Sequence, residues 1–354
     1  MNIRRTRGRF LIVVCASLAL NSSCATESPP AGEAPKPESS GVVIEQGGDY
    51  PRPPRPAKQY RIGVVLPHLA DPHFVGQAYG YIDEAERLGA EVTLLEAGGY
   101  QYLDRQVSQV EDLIASRVDA IVLVAVSGPG TVGAVEHAVA AGIPVINCNV
   151  MTDSDRVVTR IRSDDEVIGR MHADFMGEAL GAEGRVVLLR GAPGTSWAEG
   201  RGNAFRHRLT EKYPKIEVLG EQYSQSTPAE GLRLMEDFLQ TFPQIDGVYN
   251  GADTIAIGAA HAILAAGKQG QMVVTSTDFQ VDAETLIREG VITMTVIQQT
   301  VTIGRWGVRA AINYLEGQPV PDVIFTPLLL VTKDSLDSVD LSTVREPPGW
   351  TPPT

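Results

Sequence analysis

The chain has 354 residues, of which 43% are hydrophobic and 6% aromatic, and its 30 Lys and Arg against 43 Asp and Glu give a net charge of −13. So acidic a balance argues against a nucleic-acid partner, because holding a phosphate backbone takes an excess of cations. Of three cysteines only Cys148 lies beyond the first 24 residues, which leaves no internal disulfide for the folded part.

Residues 1–23 read as an export signal. Arg4, Arg5, Arg7 and Arg9 precede an apolar run of 11 residues, Phe10 to Leu20. That run is shorter than the ~20 residues a membrane span needs and fits a secretory leader. Two cleavage patterns compete. Ser22-Ser23-Cys24 places small residues before a cysteine, as at a lipidation site, although Asn21 stands where an aliphatic residue is usual. Ser23-Cys24-Ala25 instead offers a small-x-small site for ordinary cleavage. Residues 24–59 are rich in Pro, Glu, Gly and Ser and hold too little apolar surface to offset their ordering entropy. They are expected to be a tether extended by Pro51, Pro53, Pro54 and Pro56. A tether behind Cys24 favours the lipid anchor, which would be the sole membrane contact.

A strand–helix alternation begins at Tyr60. Strands are expected at Arg61 to Leu66, Glu91 to Leu95, Asp119 to Ala125 and Pro144 to Cys148. Helices are expected at Asp71 to Leu88, Tyr102 to Arg117 and Val132 to Ala141. Short β-branched runs between amphipathic windows imply parallel strands with crossover helices. The pattern restarts near Asp164. Strands are expected at Arg185 to Arg190, Ile216 to Gln222, Gly247 to Asn250, Met272 to Thr277 and Ile292 to Ile297. The helices between and after them are expected at Glu166 to Leu180, Trp197 to Tyr213, Pro228 to Phe242, Asp253 to Ala266, Asp282 to Arg288 and Thr302 to Leu315. A strand pair, Asp322 to Val331, closes the series. A folded part of about 280 residues is large for one core and comfortable for two.

Open parallel sheets present ligand sites at the carboxyl ends of their strands. Those ends carry Pro67-His68-Leu69-Ala70-Asp71, Asn147-Cys148-Asn149, Gly191 to Trp197, Asn250 to Asp253, Thr277-Asp278-Phe279 and Gln298-Gln299. Catalytic signatures are missing: no Gly-x-Ser-x-Gly elbow, no phosphate-cradling glycine loop with lysine, no His-Glu-x-x-His. No cofactor or metal is expected, and His73 has no second ligand at helical spacing. Cys148, among Val145, Ile146 and Val150, reads as a buried thiol. A transcriptional repressor core shares this alternation but would need a helix-turn-helix ahead of Tyr60, where a leader and tether stand instead.

Over about residues 60–333 the chain resembles type I periplasmic solute-binding proteins of the ribose-binding class. The resemblance rests on Val64-Val65 with Asp71-Pro72-His73-Phe74, on Ala141 to Ile146, on Ser163-Asp164-Asp165 with Gly169, on Gly194-Thr195-Ser196 with Arg201-Gly202 and Phe205, and on Gly251-Ala252-Asp253 with Ala256 to Ala259. It implies an α/β fold of two doubly wound parallel-sheet lobes joined by three hinge crossovers near Ser163, Gln298 and Phe325. The first lobe would comprise residues 60–163 and 299–325, the second 164–298 and 326–340, with a tail at 341–354.

The resemblance also implies roles. Arg201 would fork onto ligand hydroxyls, Asp278 would accept from them, and Gln298 would be the hinge glutamine. His73 and Phe74 would sandwich the ligand, with Trp197 as a further stacking surface. Asp71 stands where ribose binders carry asparagine, Asn149 where they carry aspartate, and Ala252 where they carry a second asparagine; Asp253 closes the same rim. Bland readings remain for each. Arg201 could be a helix ion-pair residue, Asp278 and Asp71 helix caps, His73 a first-turn residue and Phe74 core. One segment, Leu95-Glu96-Ala97-Gly98-Gly99-Tyr100, resembles TorT-type proteins, which bind trimethylamine N-oxide and act through a sensor histidine kinase; the Pro-Gly-Trp-Thr-Pro ending is similar more weakly. Asp165 occupies a place where those proteins carry a cage tryptophan. The expectation is therefore a non-catalytic, exported receptor for a sugar or small polar solute that serves an ABC permease, the alternative being a TorT-like sensor partnered by a histidine kinase.

Overall fold

The structure is a computed structural model and describes residues 43–44 and 48–353. The expected leader, Cys24 and the first part of the tether lie outside the described residues. The chain runs β1 (Val43–Ile44), β2 (Arg61–Leu66), α1 (Pro72–Leu88), β3 (Glu91–Glu96), α2 (Leu103–Ala115), β4 (Ala120–Leu123), α3 (Val132–Ala140), β5 (Val145–Cys148) and β6 (Thr159–Arg162). It continues through α4 (Asp165–Ala179), β7 (Glu183–Leu189), α5 (Ser196–Lys212), β8 (Lys215–Gln222), α6 (Pro228–Thr241), β9 (Gly247–Asn250), α7 (Asp253–Ala265), β10 (Val273–Thr277), α8 (Val281–Arg288) and β11 (Met294–Gln298). Then come α9 (Thr300–Leu315), β12 (Val323–Phe325) and β13 (Leu328–Thr332).

These strands form two sheets. The first has the order β1-β12-β6-β5-β4-β2-β3, parallel throughout. The second has the order β13-β11-β10-β9-β7-β8, parallel except for β13, which runs antiparallel to β11. Each sheet is apolar on both faces, as covering by crossover helices requires. On the first, Ile62, Val64 and Leu66 meet α1 and α9, while Val65, Ile121 and Leu123 meet the layer of α2 and α3. On the second, Val187, Leu189, Val248 and Val274 pack with α6, α7 and α8, and Val186, Leu188 and Tyr249 with α4 and α5.

Local chemistry starts and stops the helices. Asp71 caps α1 by accepting from the His73 N–H at 2.9 Å, Pro72 fills its first turn, and Gly89 ends it at φ 69°. Asp164 caps α4 through the N–H groups of Glu166 and Val167. Helices α1 and α9 approach so closely that a Cβ on Gly304 would strike the Gln77 carbonyl and one on Gly80 the Val301 carbonyl.

Three segments cross between the sheets: β6 to α4, β11 to α9, and β12 to β13. Two are tied to each other, with the Ser163 and Thr326 hydroxyls 3.2 Å apart and Thr326 N–H donating to the Arg162 carbonyl.

The structure adds elements that the sequence did not suggest. Strand β6 carries Arg160 and Arg162 alternating with buried Thr159 and Ile161, a period masked by two charges. Part of the expected tether lies against the first sheet's layer. There β1 pairs with β12, Tyr50 is buried beside Trp306, and Arg52 joins Arg309 on the buried carboxylate of Glu84. The expected tail is likewise packed. Val344 is 4% exposed in the core under α7 and α8, Thr300 Oγ1 donates to its carbonyl, and Trp350 stands edge-on to Tyr79 of α1 at 5.3 Å. Arg345 bonds the Phe279 carbonyl and Glu284 at 3.0 Å each.

Candidate ligand-binding cleft

The carboxyl ends of the two sheets face each other, and side chains separated by some 200 residues meet there. His73, from the first turn of α1, points Nδ1 at Asp278 Oδ1, 3.1 Å away, beyond the end of β10. Gln298, the last residue of β11, donates from Nε2 to the same carboxylate oxygen at 2.7 Å. Asn149, after β5, lies 2.9 Å from His73 Nε2, so the imidazole is held from both sides. Gln280 reaches back across the cleft and donates to Asp71 Oδ1 at 3.1 Å.

The second lobe supplies the main cation. Arg201, on α5, is 3% exposed and donates from Nε to Asp165 Oδ1 at 2.8 Å and from Nη1 to the Gly251 carbonyl at 3.0 Å. Its guanidinium lies over the Trp197 ring, 5.2 Å from the centroid, a cation–π arrangement. Trp197 fits because Gly191 and Gly251 have no side chain there; a Cβ on Gly191 would enter the indole. The indole packs against the apolar clusters of both lobes. Phe74 is buried in an edge-to-face cluster with His68, His73 and Tyr100.

Electrostatics follow from burial. Burial pulls the His73 pKa down, but the charge and hydrogen bond of Asp278 outweigh it and leave it raised. Burial pushes Asp278 up, yet His73, Arg201 and Gln298 together hold it below the usual carboxylate range. Burial raises Asp71, and the charge and N–H of His73 with the charge of His68 offset only part of the rise. Asp253 is fully buried; burial and the nearby Asp278 charge lift it well above the ordinary value. Cys148 is also fully buried, and its thiol is pushed up to about 12, far from nucleophilic.

Two left-handed backbone positions lie here as well. Asn149 at φ 58° and Asp278 at φ 92° are non-glycine residues in left-handed conformations. Such residues cost about 1–3 kcal/mol each and cluster at ligand clamps.

Of the residues singled out from sequence, Asp71, His73, Phe74, Asn149, Trp197, Arg201, Asp278 and Gln298 come together at this one place. Asp253 does not face the opening: its carboxylate accepts from the Ser276 hydroxyl and the Gln280 N–H and so shapes the 276–280 loop. Tyr100, His68, Gln280 and Asp165 complete the cluster; the sequence placed His68 in a strand-end segment and Asp165 at a cage position but assigned none of the four a ligand contact. For Tyr100 and His68 a signal existed, since each follows a strand end, but nothing local marks Gln280 or ties Asp165 to Arg201. Among the described residues no group of His, Cys, Asp and Glu could hold a metal ion, and no helix is long and apolar enough to cross a membrane.

Two sheets with matching crossovers and a polar clamp between them define a periplasmic-binding-protein architecture. The chain belongs to that family: the profile described as "Periplasmic binding protein domain" matches residues 62–319. It is 32% identical over 322 residues to the ribose import binding protein RbsB of Bacillus subtilis, covering 91% of this chain and 98% of that one. It is 29% identical over 258 residues to the D-allose-binding periplasmic protein of Escherichia coli, covering 71% and 83%. Among solved structures it is similar to an ABC transporter solute-binding protein of Bacillus halodurans with bound myo-inositol. There the TM-score is 0.75 at 26% identity, over 81% of this chain and 99% of that one.

Proposed function

We propose that this protein is an extracytoplasmic receptor that closes over one small sugar or polyol and delivers it, chemically unchanged, to an ABC importer. The observation that carries this reading is the His73–Asp278 contact with Gln298 on the same carboxylate. It joins the two lobes through groups that hydrogen-bond hydroxyls. The relatives are named for ribose import and D-allose binding. That favours uptake over the sensor-kinase alternative raised by the Leu95 to Tyr100 segment.

In this reading Trp197 supplies a ring face for the C–H side of the sugar, and the free edge of Arg201 forks onto adjacent hydroxyls. His73, Asn149, Asp278 and Gln298 accept or donate to the others, Asp71 and Phe74 form the wall at the start of α1, and Asp253 positions the 276–280 loop. Ligand binding favours the closed arrangement by its differential affinity for it. Cys24 would carry the lipid anchor; Cys24→Ser should then release the protein from the membrane fraction. The leading test is calorimetry of the mature protein against pentoses, hexoses and inositols. A saturable ligand of micromolar or tighter affinity, about −8 kcal/mol, is expected, and no binding by any of them would end the proposal.

A further inference from the structure

Charge is unevenly matched in the cleft. Three carboxylates meet there, those of Asp71, Asp165 and Asp278, with Asp253 buried behind them. Arg201 pairs with Asp165 at 2.8 Å and His73 with Asp278 at 3.1 Å. Asp253 is turned to Ser276 and the Gln280 N–H, and burial favours its neutral, protonated form.

Asp71 is left over. Among the described residues no Lys or Arg pairs with it. Its Oδ1 accepts from the His73 N–H and the Gln280 side chain, and its Oδ2 accepts no hydrogen bond. Burial raises its pKa, and the neighbouring His73 and His68 offset only part of that rise. A second, independent acceptor lies close by. Gln298 is 2% exposed; it commits Nε2 to Asp278 and leaves Oε1 with no partner. Gln298 Oε1 is thus a buried acceptor without a donor, which is costly, whereas the free oxygen of Asp71 stays open to solvent. A ligand donor satisfies Gln298, and a ligand that also carries a positive charge gives Asp71 the cation that no Lys or Arg supplies.

We infer that the preferred ligand is a small polyol bearing an amine, its ammonium seated on the free oxygen of Asp71 and its hydroxyls shared between Gln298 and Arg201. This rests on the receptor reading above and narrows its ligand class. A neutral sugar satisfies Gln298 but leaves the charge of Asp71 unmatched. A sugar acid would set a further negative charge beside Asp71 and Asp278, where like charges repel.

Calorimetry at pH 7 with matched pairs tests this: glucose and glucosamine, galactose and galactosamine, mannose and mannosamine, with glucuronate as the acidic control. In at least one pair the amino sugar should bind about tenfold tighter or more, and glucuronate should not bind. Asp71→Asn should pull that ratio towards one. Asparagine caps a helix about as well as aspartate, so α1 should still form, which circular dichroism checks. Neutral sugars binding as tightly as their amino partners in every pair would overturn the inference and leave the receptor reading intact. An unchanged ratio in Asp71→Asn would overturn the assignment of Asp71. Failure of every sugar to bind would sink both readings together.

Discussion

Asp278→Asn tests the cross-cleft clamp with little change of shape. Asparagine tolerates the left-handed backbone at φ 92°, so the substitution removes charge without adding strain. In the native chain Asp278 faces His73 at 3.1 Å and Gln298 at 2.7 Å, with both members of the ion pair nearly buried. Removing one member of a buried pair costs about 3–5 kcal/mol. Asparagine keeps a neutral hydrogen bond worth about 1 kcal/mol, so a net loss of about 2–4 kcal/mol is expected where the pair is fully charged.

The pH window follows from the two shifts. The His73 pKa is raised above 6.5, so its contribution is complete below about pH 6.5 and is lost as pH climbs through the raised value. The Asp278 pKa is lowered below 3.8, so its contribution is complete above about pH 3.8 and is lost as pH falls through the lowered value. Between about pH 4 and 6.5 both are charged. Urea unfolding should therefore show the larger loss at pH 6 and a smaller one at pH 9, as His73 gives up its proton. Equal losses at the two pH values, or none at either, would refute the clamp.

Other outcomes follow from the same structure. His172 is fully buried between the Thr275 and Thr277 hydroxyls, and burial pushes its pKa down to about 3. The unfolded chain therefore binds the extra proton between pH 6.5 and 3, and lowering the pH from 6.5 to 4.5 should cost about 2.3 kcal/mol. His172→Gln should flatten that slope in acid titrations of stability. Gly304→Ala drives a methyl into the Gln77 carbonyl at the α1–α9 contact and should destabilise by about 1–3 kcal/mol, read as a lowered urea midpoint. Val344→Ala opens space in the core reached by the last residues and should cost about 1.5 kcal/mol; an unchanged melting temperature would mean that the segment does not pack there. Arg201→Ala and Asp278→Ala should each weaken sugar affinity by about 2 kcal/mol or more, measured by calorimetry.

Much of the fold is legible in the chain because each strand–helix unit announces itself locally. Arg61 to Leu66 is almost wholly apolar, and Asp71-Pro72 and Gly89 punctuate the helix that follows. The rim residues are legible for a related reason, since strand ends are where such sheets place ligands. What escapes is whatever depends on partners far along the chain. Strand β6 looks polar until Ile324 and Ile146 cover it. Tyr50 and Trp350 sit in proline-rich stretches and become structural only against Trp306 and Tyr79. Nothing near Asp165 indicates that it will neutralise Arg201, 36 residues on, and nothing near Asp71 indicates that no Lys or Arg among the described residues will pair with it.

The central claim is a sugar held between the two lobes by His73, Trp197, Arg201, Asp278 and Gln298. Its most direct test is a crystal structure of the mature protein with the tightest sugar from the calorimetric panel. The ligand should lie between the carboxyl ends of the two sheets, with hydroxyls within hydrogen-bonding distance of Arg201 and Asp278 and a ring face on Trp197. A ligand found elsewhere, or one in the cleft that touches neither Arg201 nor Asp278, would contradict the account.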